Sequence, residues 1–253
     1  MTAPELPDRN IKLTLEFDGT AYHGWQVQPD RPTVQGTLAA AAQKALGEPE
    51  LTVTGCSRTD AGVHARRYCA NFTTRWTHPA DNIKRMLNTR LPADIVVHAA
   101  EDVPADFSAR FSAAGKEYRY TILTTPTSQP LKDRYTWHNS RRLDLAVMQA
   151  AAAHLVGTHD FTAMSGSNDS GRDPVCTLFS VTVDAAEDGV VIAVRGRSFL
   201  FRMVRIIAGT LVDAGGGSIT PADVAAILAG RDRRRMRAAA PARGLTLWEV
   251  WYE

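Results

Sequence analysis

The stretch LTVTGCSRTDAGVHARRYCANFTT, residues 51–74, sets the reading of the whole chain. Its ends are β-prone: LTVTG (51–55) on one side and RRYCANFTT (66–74) on the other, the latter with Tyr68, Ala70 and Phe72 on one face. Between them lies GCSRTDAGVHA, Gly55 to Ala65, with Asp60 between two glycines and close to Arg58 and His64. A loop joining two strands is an ordinary place for catalytic groups. An ionised Asp60 beside a guanidinium is a nucleophile or base. A buried Asp60 without a cation is an acid of raised pKa. The plain alternative is an Asx turn, with Asp60 bonding its own loop backbone.

Working outward, IKLTLEFD (11–18) alternates as a strand and runs into a Gly-Thr turn. TVQGTLAAAAQKAL (33–46) has helical spacing, with Thr33 placed to cap it. NIKRMLNTRL (82–91) is helical and stops before Pro92, and DIVVHAAEDV (94–103) is a strand. The order β-α-β-β-α-β is that of the split, ferredoxin-like arrangement.

The second part is similar in layout but not in residues. KEYRYTIL (116–123) reads as a strand and LDLAVMQAAAAHLV (143–156) as an amphipathic helix. TLFSVTVDAAEDGVVIAVRGR (177–197) reads as a hairpin turning near Glu187, Asp188 and Gly189. SFLFRMVRIIAGTLVDAG (198–215) is a helix with Gly215 near its end, Thr220-Pro221 opens another, and LTLWEVWYE is a strand. The expectation is an α+β fold of two ferredoxin-like (split βαβ) halves, residues 1–104 and 105–253. Their largely antiparallel sheets are expected to pack side by side around a central catalytic cleft.

With 44% hydrophobic residues among 253, the chain has enough apolar material for one large domain or two ordinary ones. No run of 18 apolar residues suggests a membrane span, and MTAPELPDRN carries no secretory h-region. Three widely spaced cysteines, Cys56, Cys69 and Cys176, argue against a disulfide framework, and the absence of CxxC against zinc. A reducing cytoplasm is the expected location. Net charge is only +2, but 24 of the 29 cations are arginine, a residue suited to gripping phosphates and stacking on bases. The plain alternative is a GC-rich genome favouring Arg and Ala codons.

The loop GCSRTDAGVHA strongly resembles the catalytic motif of the TruA family of tRNA pseudouridine synthases, and the likeness continues along nearly the whole chain. FDGTAYHGWQVQP (17–29), TVQGTL (33–38), LNTRLPADI (87–95), FSARFSAAGKEYRYTI (107–122), SFLFRMVRIIAGTL (198–211) and APARGLTLWEVWY (240–252) follow in the family's order. The resemblance implies isomerisation of uridine to pseudouridine at positions 38, 39 and 40 of the tRNA anticodon stem-loop, by a homodimer using no metal and no organic cofactor. It implies that Asp60 is the catalytic aspartate. It gives Arg58 the task of displacing the target nucleotide, Tyr118 that of stacking on its base, and Arg205 that of pairing with the catalytic carboxylate. Leu245 is implied as an apolar wall of the pocket. Departures from the family pattern stand at Ser108, Arg202 and Cys176.

The residues carry plainer readings as well. Arg205 sits among Met203, Val204, Ile206 and Ile207, which suggests a stem in apolar packing, or else the wet side of an amphipathic helix. Tyr118 and Tyr120 alternate as core strand residues would. Arg66, Arg67, Lys116, Arg119 and the run RDRRRMR, with Arg231, Arg233 and Arg234, are candidate phosphate contacts; the run also reads as a solvated helix end. His64 reads as a loop hydrogen-bonder, Cys56 as a small buried residue and Trp25 as core. Two other functions fit single features: a hydrolase with an aspartate nucleophile, and a non-catalytic RNA-binding module.

Overall fold

The computed structural model describes residues 8–166, 173–233 and 239–252. These contain ten strands and five α-helices. They divide into two compact units. The first takes in residues up to Ala114 and those from Glu249 on; the second is Gly115–Trp248. The division thus falls ten residues beyond the 104/105 boundary expected from sequence, and the last strand belongs partly to each unit.

In the first unit, β1 (Arg9–Phe17) pairs antiparallel with both β3 (His64–Thr74) and β4 (Ile95–Val103), and β2 (Thr54–Gly55) adds to the far side of β3. The spatial order is β4-β1-β3-β2. Ile11, Leu13, Leu15 and Phe17 are all buried on one face of β1, as strict alternation requires. Across the ladder Ile11 meets Phe72 and Leu13 meets Ala70. The helices α1 (Val34–Leu46) and α2 (Ala80–Asn88) pack on each other, and α2 also packs on β4. Thr33 caps α1 as expected, its hydroxyl accepting from the Gly36 amide at 3.3 Å.

The second unit is built on β5 (Ala113–Leu123), β8 (Val175–Ala186) and β9 (Gly189–Gly196), in the order β5-β9-β8, with β7 (Gly157–Asp160) beyond β8. All these pairs are antiparallel; β6 (Trp137–His138) runs parallel to the end of β5. The hairpin turns at Glu187–Asp188, where Ala186 faces Gly189. Helix α3 (Leu145–Ala153) packs on β8 and on α4 (Met203–Gly215) and α5 (Pro221–Gly230). Thr220 and Asp223 form a reciprocal capping box at the start of α5. The last strand, β10 (Leu245–Tyr252), crosses the division between units.

The structure trims several elements. The strand expected over 51–55 is only two residues long, because Leu51 and Val53 are buried without entering a ladder. The helix expected from 198 begins at Met203, because Arg202 adopts a left-handed φ of 59° that no α-helix can include. The strands β6 and β7 were not foreseen; each is too short to show a period in sequence.

Candidate active site

Asp60 lies half-buried in the loop Cys56–Val63 between β2 and β3, and Arg58 is exposed on the same loop. Three aromatic side chains stand beneath it. Trp25 stacks on Tyr68 at 4.2 Å, and Phe17 lies 5.4 Å from Tyr68 and 6.4 Å from Trp25, centroid to centroid. The Tyr68 hydroxyl donates to the Ser57 carbonyl and accepts from the Ser57 amide at 3.3 Å. Glycine is required at position 55 by proximity: a Cβ there would fall 2.3 Å from the Tyr68 hydroxyl and 2.4 Å from the Trp25 ring.

The segment before α1 holds the other side of the loop. The Trp25 amide donates to the Thr59 carbonyl at 3.1 Å, and the Gly62 amide donates to the Tyr22 carbonyl at 3.3 Å. Gly24 has φ +88°, and a Cβ on it would meet the Thr59 oxygen at 2.4 Å. The Val63 amide closes a turn onto the Asp60 carbonyl at 3.1 Å. Tyr22 is anchored in turn by its hydroxyl, which donates to Asp94 at 2.7 Å; burial, then Asp94, pushes that phenol's pKa upward. Thr59 and Gly62, on either side of Asp60, are therefore fixed by backbone bonds to a segment more than thirty residues earlier.

His64 is drawn into the fold. Its Nδ1 accepts from the Gly19 amide at 3.1 Å, so that nitrogen carries a lone pair. Asp18 Oδ1 also lies 3.1 Å from that nitrogen. Cys56, Cys69 and Cys176 are buried, and burial raises the Cys69 thiol to about 11. Trp25, 2% exposed, is core as its sequence context indicated.

In the second unit, Tyr118 is 5% exposed on β5, opposite Val194, with its ring edge-on to Phe199 at 5.0 Å. Arg205 is half-buried in the first turn of α4. Its Nε donates to the Ala240 carbonyl at 2.7 Å, and the Ala240 amide donates back to the Arg205 carbonyl at 3.1 Å. The next carbonyl, Pro241, accepts from the Tyr120 hydroxyl at 2.7 Å. Burial pushes the Tyr120 phenol up, opposed by the nearby charges of Arg205 and Arg243. Leu245, 6% exposed, opens β10 just beyond this clasp.

The candidate RNA contacts separate by environment. Arg66 and Arg67 are exposed on β3; Arg67 reaches Glu249 at 3.1 Å. Lys116 is half-buried on β5. Arg119 donates to Glu117 at 2.6 Å and lies 4.0 Å over the Trp248 ring, so its charge is already engaged within the unit. Arg231 caps α5 with φ 52° and lies 3.2 Å from Asp160. Arg233 is exposed, and Arg234 lies outside the described residues. Asp60, Arg58, Arg66 and Arg67 thus belong to the first unit, and Tyr118, Lys116, Arg119, Arg205, Arg231, Arg233 and Leu245 to the second. Sequence reading missed Tyr68 and Tyr120 as supports, since each looks like any buried strand aromatic. Gly24, inside HGW, was the available signal.

Among the described residues no helix is long and apolar enough to cross a membrane, and no group of three His, Cys, Asp or Glu side chains is placed to hold a metal.

Comparison with known proteins gives a consistent result. The pattern of the tRNA pseudouridine synthase family matches residues 14–112 and 151–253. The chain is 44% identical over 244 residues to the tRNA pseudouridine synthase A of Brevibacillus brevis, covering 96% of this chain and 100% of that one. It is 43% identical to that of Ruminiclostridium cellulolyticum, again covering 96% and 100%. It is 46% identical over 242 residues to that of Syntrophotalea carbinolica, covering 96% of each. Among solved structures, a chain of a Cbf5-Nop10-Gar1 complex is similar at a TM-score of 0.33 and 10% identity, covering 79% of this chain and 54% of that one, a likeness too remote to bear on the fold.

Proposed function

Because the chain belongs to the tRNA pseudouridine synthase A family, and so to the isomerases that act on tRNA, we propose that it converts uridine to pseudouridine at positions 38, 39 and 40 of the anticodon stem-loop, with Asp60 as the reacting carboxylate. The observation that carries this reading is the way the Asp60 loop is held: a half-exposed carboxylate whose neighbours Ser57, Thr59 and Gly62 are each fixed by Tyr68, Trp25 or Tyr22. A solvated turn needs no such support; a group that must meet one atom of a substrate does.

The reaction breaks the C1′–N1 bond and makes a bond from C1′ to C5. The C5 proton leaves, N1 gains one, and there is no net redox change, so the chemistry calls for no cofactor. Asp60 acts either by forming an adduct at C1′ or C6, or by taking the C2′ proton. Both routes use the ionised carboxylate. A paired uridine must be extruded first, at a cost of a few kcal/mol. Arg58, exposed on the Asp60 loop, is the group we assign to the vacated position in the stem. Tyr118 is assigned to the extruded base, Leu245 to the pocket wall, and Arg205 to pairing with the catalytic carboxylate. Arg66, Arg67, Lys116, Arg231 and Arg233 are assigned to RNA phosphates. Arg119 is a weaker candidate, since Glu117 already balances its charge.

In this reading the enzyme works as a homodimer in the cytoplasm, and each unit is a split βαβ half. What supports the last point in the first unit is the element order β-α-β-β-α-β with spatial strand order β4-β1-β3-β2. The test is tritium release from tRNA labelled at uridine C5. Release by the wild type and none by Asp60→Asn, with tRNA binding kept, is the expected result. Equal release by both proteins would remove Asp60 from the chemistry.

A further inference from the structure

A second feature of the first unit lies outside the Asp60 loop. A groove of about 710 Å³ is bounded by the segment 27–32, one face of α1 and the residues just after α2. Three cations line it, Arg31, Lys44 and Arg90, and no carboxylate does. All three are exposed, and none has an acidic partner among the described residues. Arg90 spends one nitrogen on the Met86 carbonyl (3.1 Å) and the Thr89 hydroxyl (3.2 Å), and the rest of its fork is open. Several other cations of this unit are paired with acids: Arg9 with Asp102, Lys12 with Glu101, Lys84 and Arg85 with Asp81.

The shape suits a strand more than a single ion. Arg31 precedes α1 and Lys44 lies in its last turn, so roughly 16 Å of helix separates Thr33 from Lys44. Along that face Gly36, Ala40 and Ala41 are small and leave the groove open. One phosphate cannot engage cations spread over that length; successive phosphates of a polynucleotide can. The groove is also tied to the Asp60 loop. The Trp25 amide holds the Thr59 carbonyl, and two to six residues later Val27, Gln28 and Arg31 form the groove wall. The Gln35 side chain locks this segment, accepting from the Val27 amide at 2.9 Å and donating to the Val53 carbonyl at 2.8 Å.

We propose that this groove binds the sugar–phosphate backbone of the tRNA substrate away from the target nucleotide. The proposal rests on the tRNA-modifying activity. Its contribution is electrostatic, so it belongs to affinity and salt dependence and not to the chemical step.

The experiment compares wild type with Arg31→Gln/Lys44→Gln and with the triple variant that adds Arg90→Gln. Pseudouridine formation and tRNA binding are measured across a series of salt concentrations. Each lost phosphate contact lowers the slope of log affinity against log salt by about 1, so the double variant should flatten it by about 2 and the triple by about 3. KM for tRNA should rise while kcat stays at the wild-type value. The double variant leaves the Arg90 bonds to α2 in place, so it reports on binding even if the triple variant folds poorly. Unchanged slope and affinity in the double variant, with active wild type, would overturn the groove proposal. Wild type that binds tRNA but forms no pseudouridine would instead overturn the catalytic reading.

Discussion

The Tyr68 hydroxyl takes both backbone polar groups of Ser57, its N–H and its C=O, while its ring stacks on Trp25. A strand side chain thereby fixes the first part of the loop that carries Asp60, three residues further on. Tyr68→Phe keeps the stacked ring and removes only the oxygen. It should cost about 1–3 kcal/mol of stability, the price of leaving buried polar groups unmatched. With Asp60 in the proposed role, turnover should fall about tenfold or more with little change in KM. A thermal melt and a kinetic comparison check both parts.

Gly24→Ala attacks the same loop from the other side. The new methyl would meet the Thr59 carbonyl at 2.4 Å on a backbone with φ +88°. Neither partner is a flexible side-chain end, so the strain has no easy release. A loss of about 2 kcal/mol or more is expected in denaturant titration, against tenths for a surface substitution.

Arg205→Lys retains the charge but not the planar fork that reaches the Ala240 carbonyl. The Ala240 bond should be lost and, in the role proposed for Arg205, turnover should drop by about tenfold or more. Hydrogen exchange at the Ala240 amide, which bonds back to Arg205, reads the structural half of this effect. Wild-type turnover in Arg205→Lys would show that charge alone suffices.

Acid stability follows from Arg9 and Asp102, which meet in a two-pronged pair with Nε–Oδ1 and Nη2–Oδ2 both at 2.8 Å. The Arg9 hydrogen bonds hold the Asp102 carboxyl below its ordinary value. A carboxylate depressed in the folded state stabilises above its unfolded pKa, near 4, and that contribution disappears as pH falls through the folded value. Asp102 is 56% exposed, so solvent screening limits the effect to about 1 kcal/mol or less. Asp102→Asn should therefore melt slightly below wild type at neutral pH and together with it in strong acid.

Much of this protein is legible in sequence because its local signals agree with its packing. Thr33 before an apolar helical run, Thr220-Pro221 with Asp223, and the alternation in 11–17 each specify an element on their own. The loop with Asp60 was legible as a glycine-flanked connection between two strands. What held it was not, because Tyr68, Trp25 and Tyr22 look in sequence like ordinary core aromatics, and their hydroxyl and amide partners come from distant residues. The start of α4 was misplaced for a related reason. Apolar residues from Phe199 through Met203 continue the periodic pattern, but Arg202 turns the chain left-handed, and only tertiary packing selects that conformation.

The divided membership of β10 has a consequence during synthesis. Tyr252, whose hydroxyl donates to the Ala109 carbonyl at 2.8 Å and whose ring packs on Phe107, belongs to a unit otherwise finished at Ala114. The ribosome makes 134 residues, 115 to 248, between those two parts, which takes on the order of ten seconds. During that interval the Asp60 loop exists without its unit's last strand. A nascent chain interrupted there would carry the Asp60 loop on an incomplete sheet, so translation order itself delays completion of the sheet that bears it.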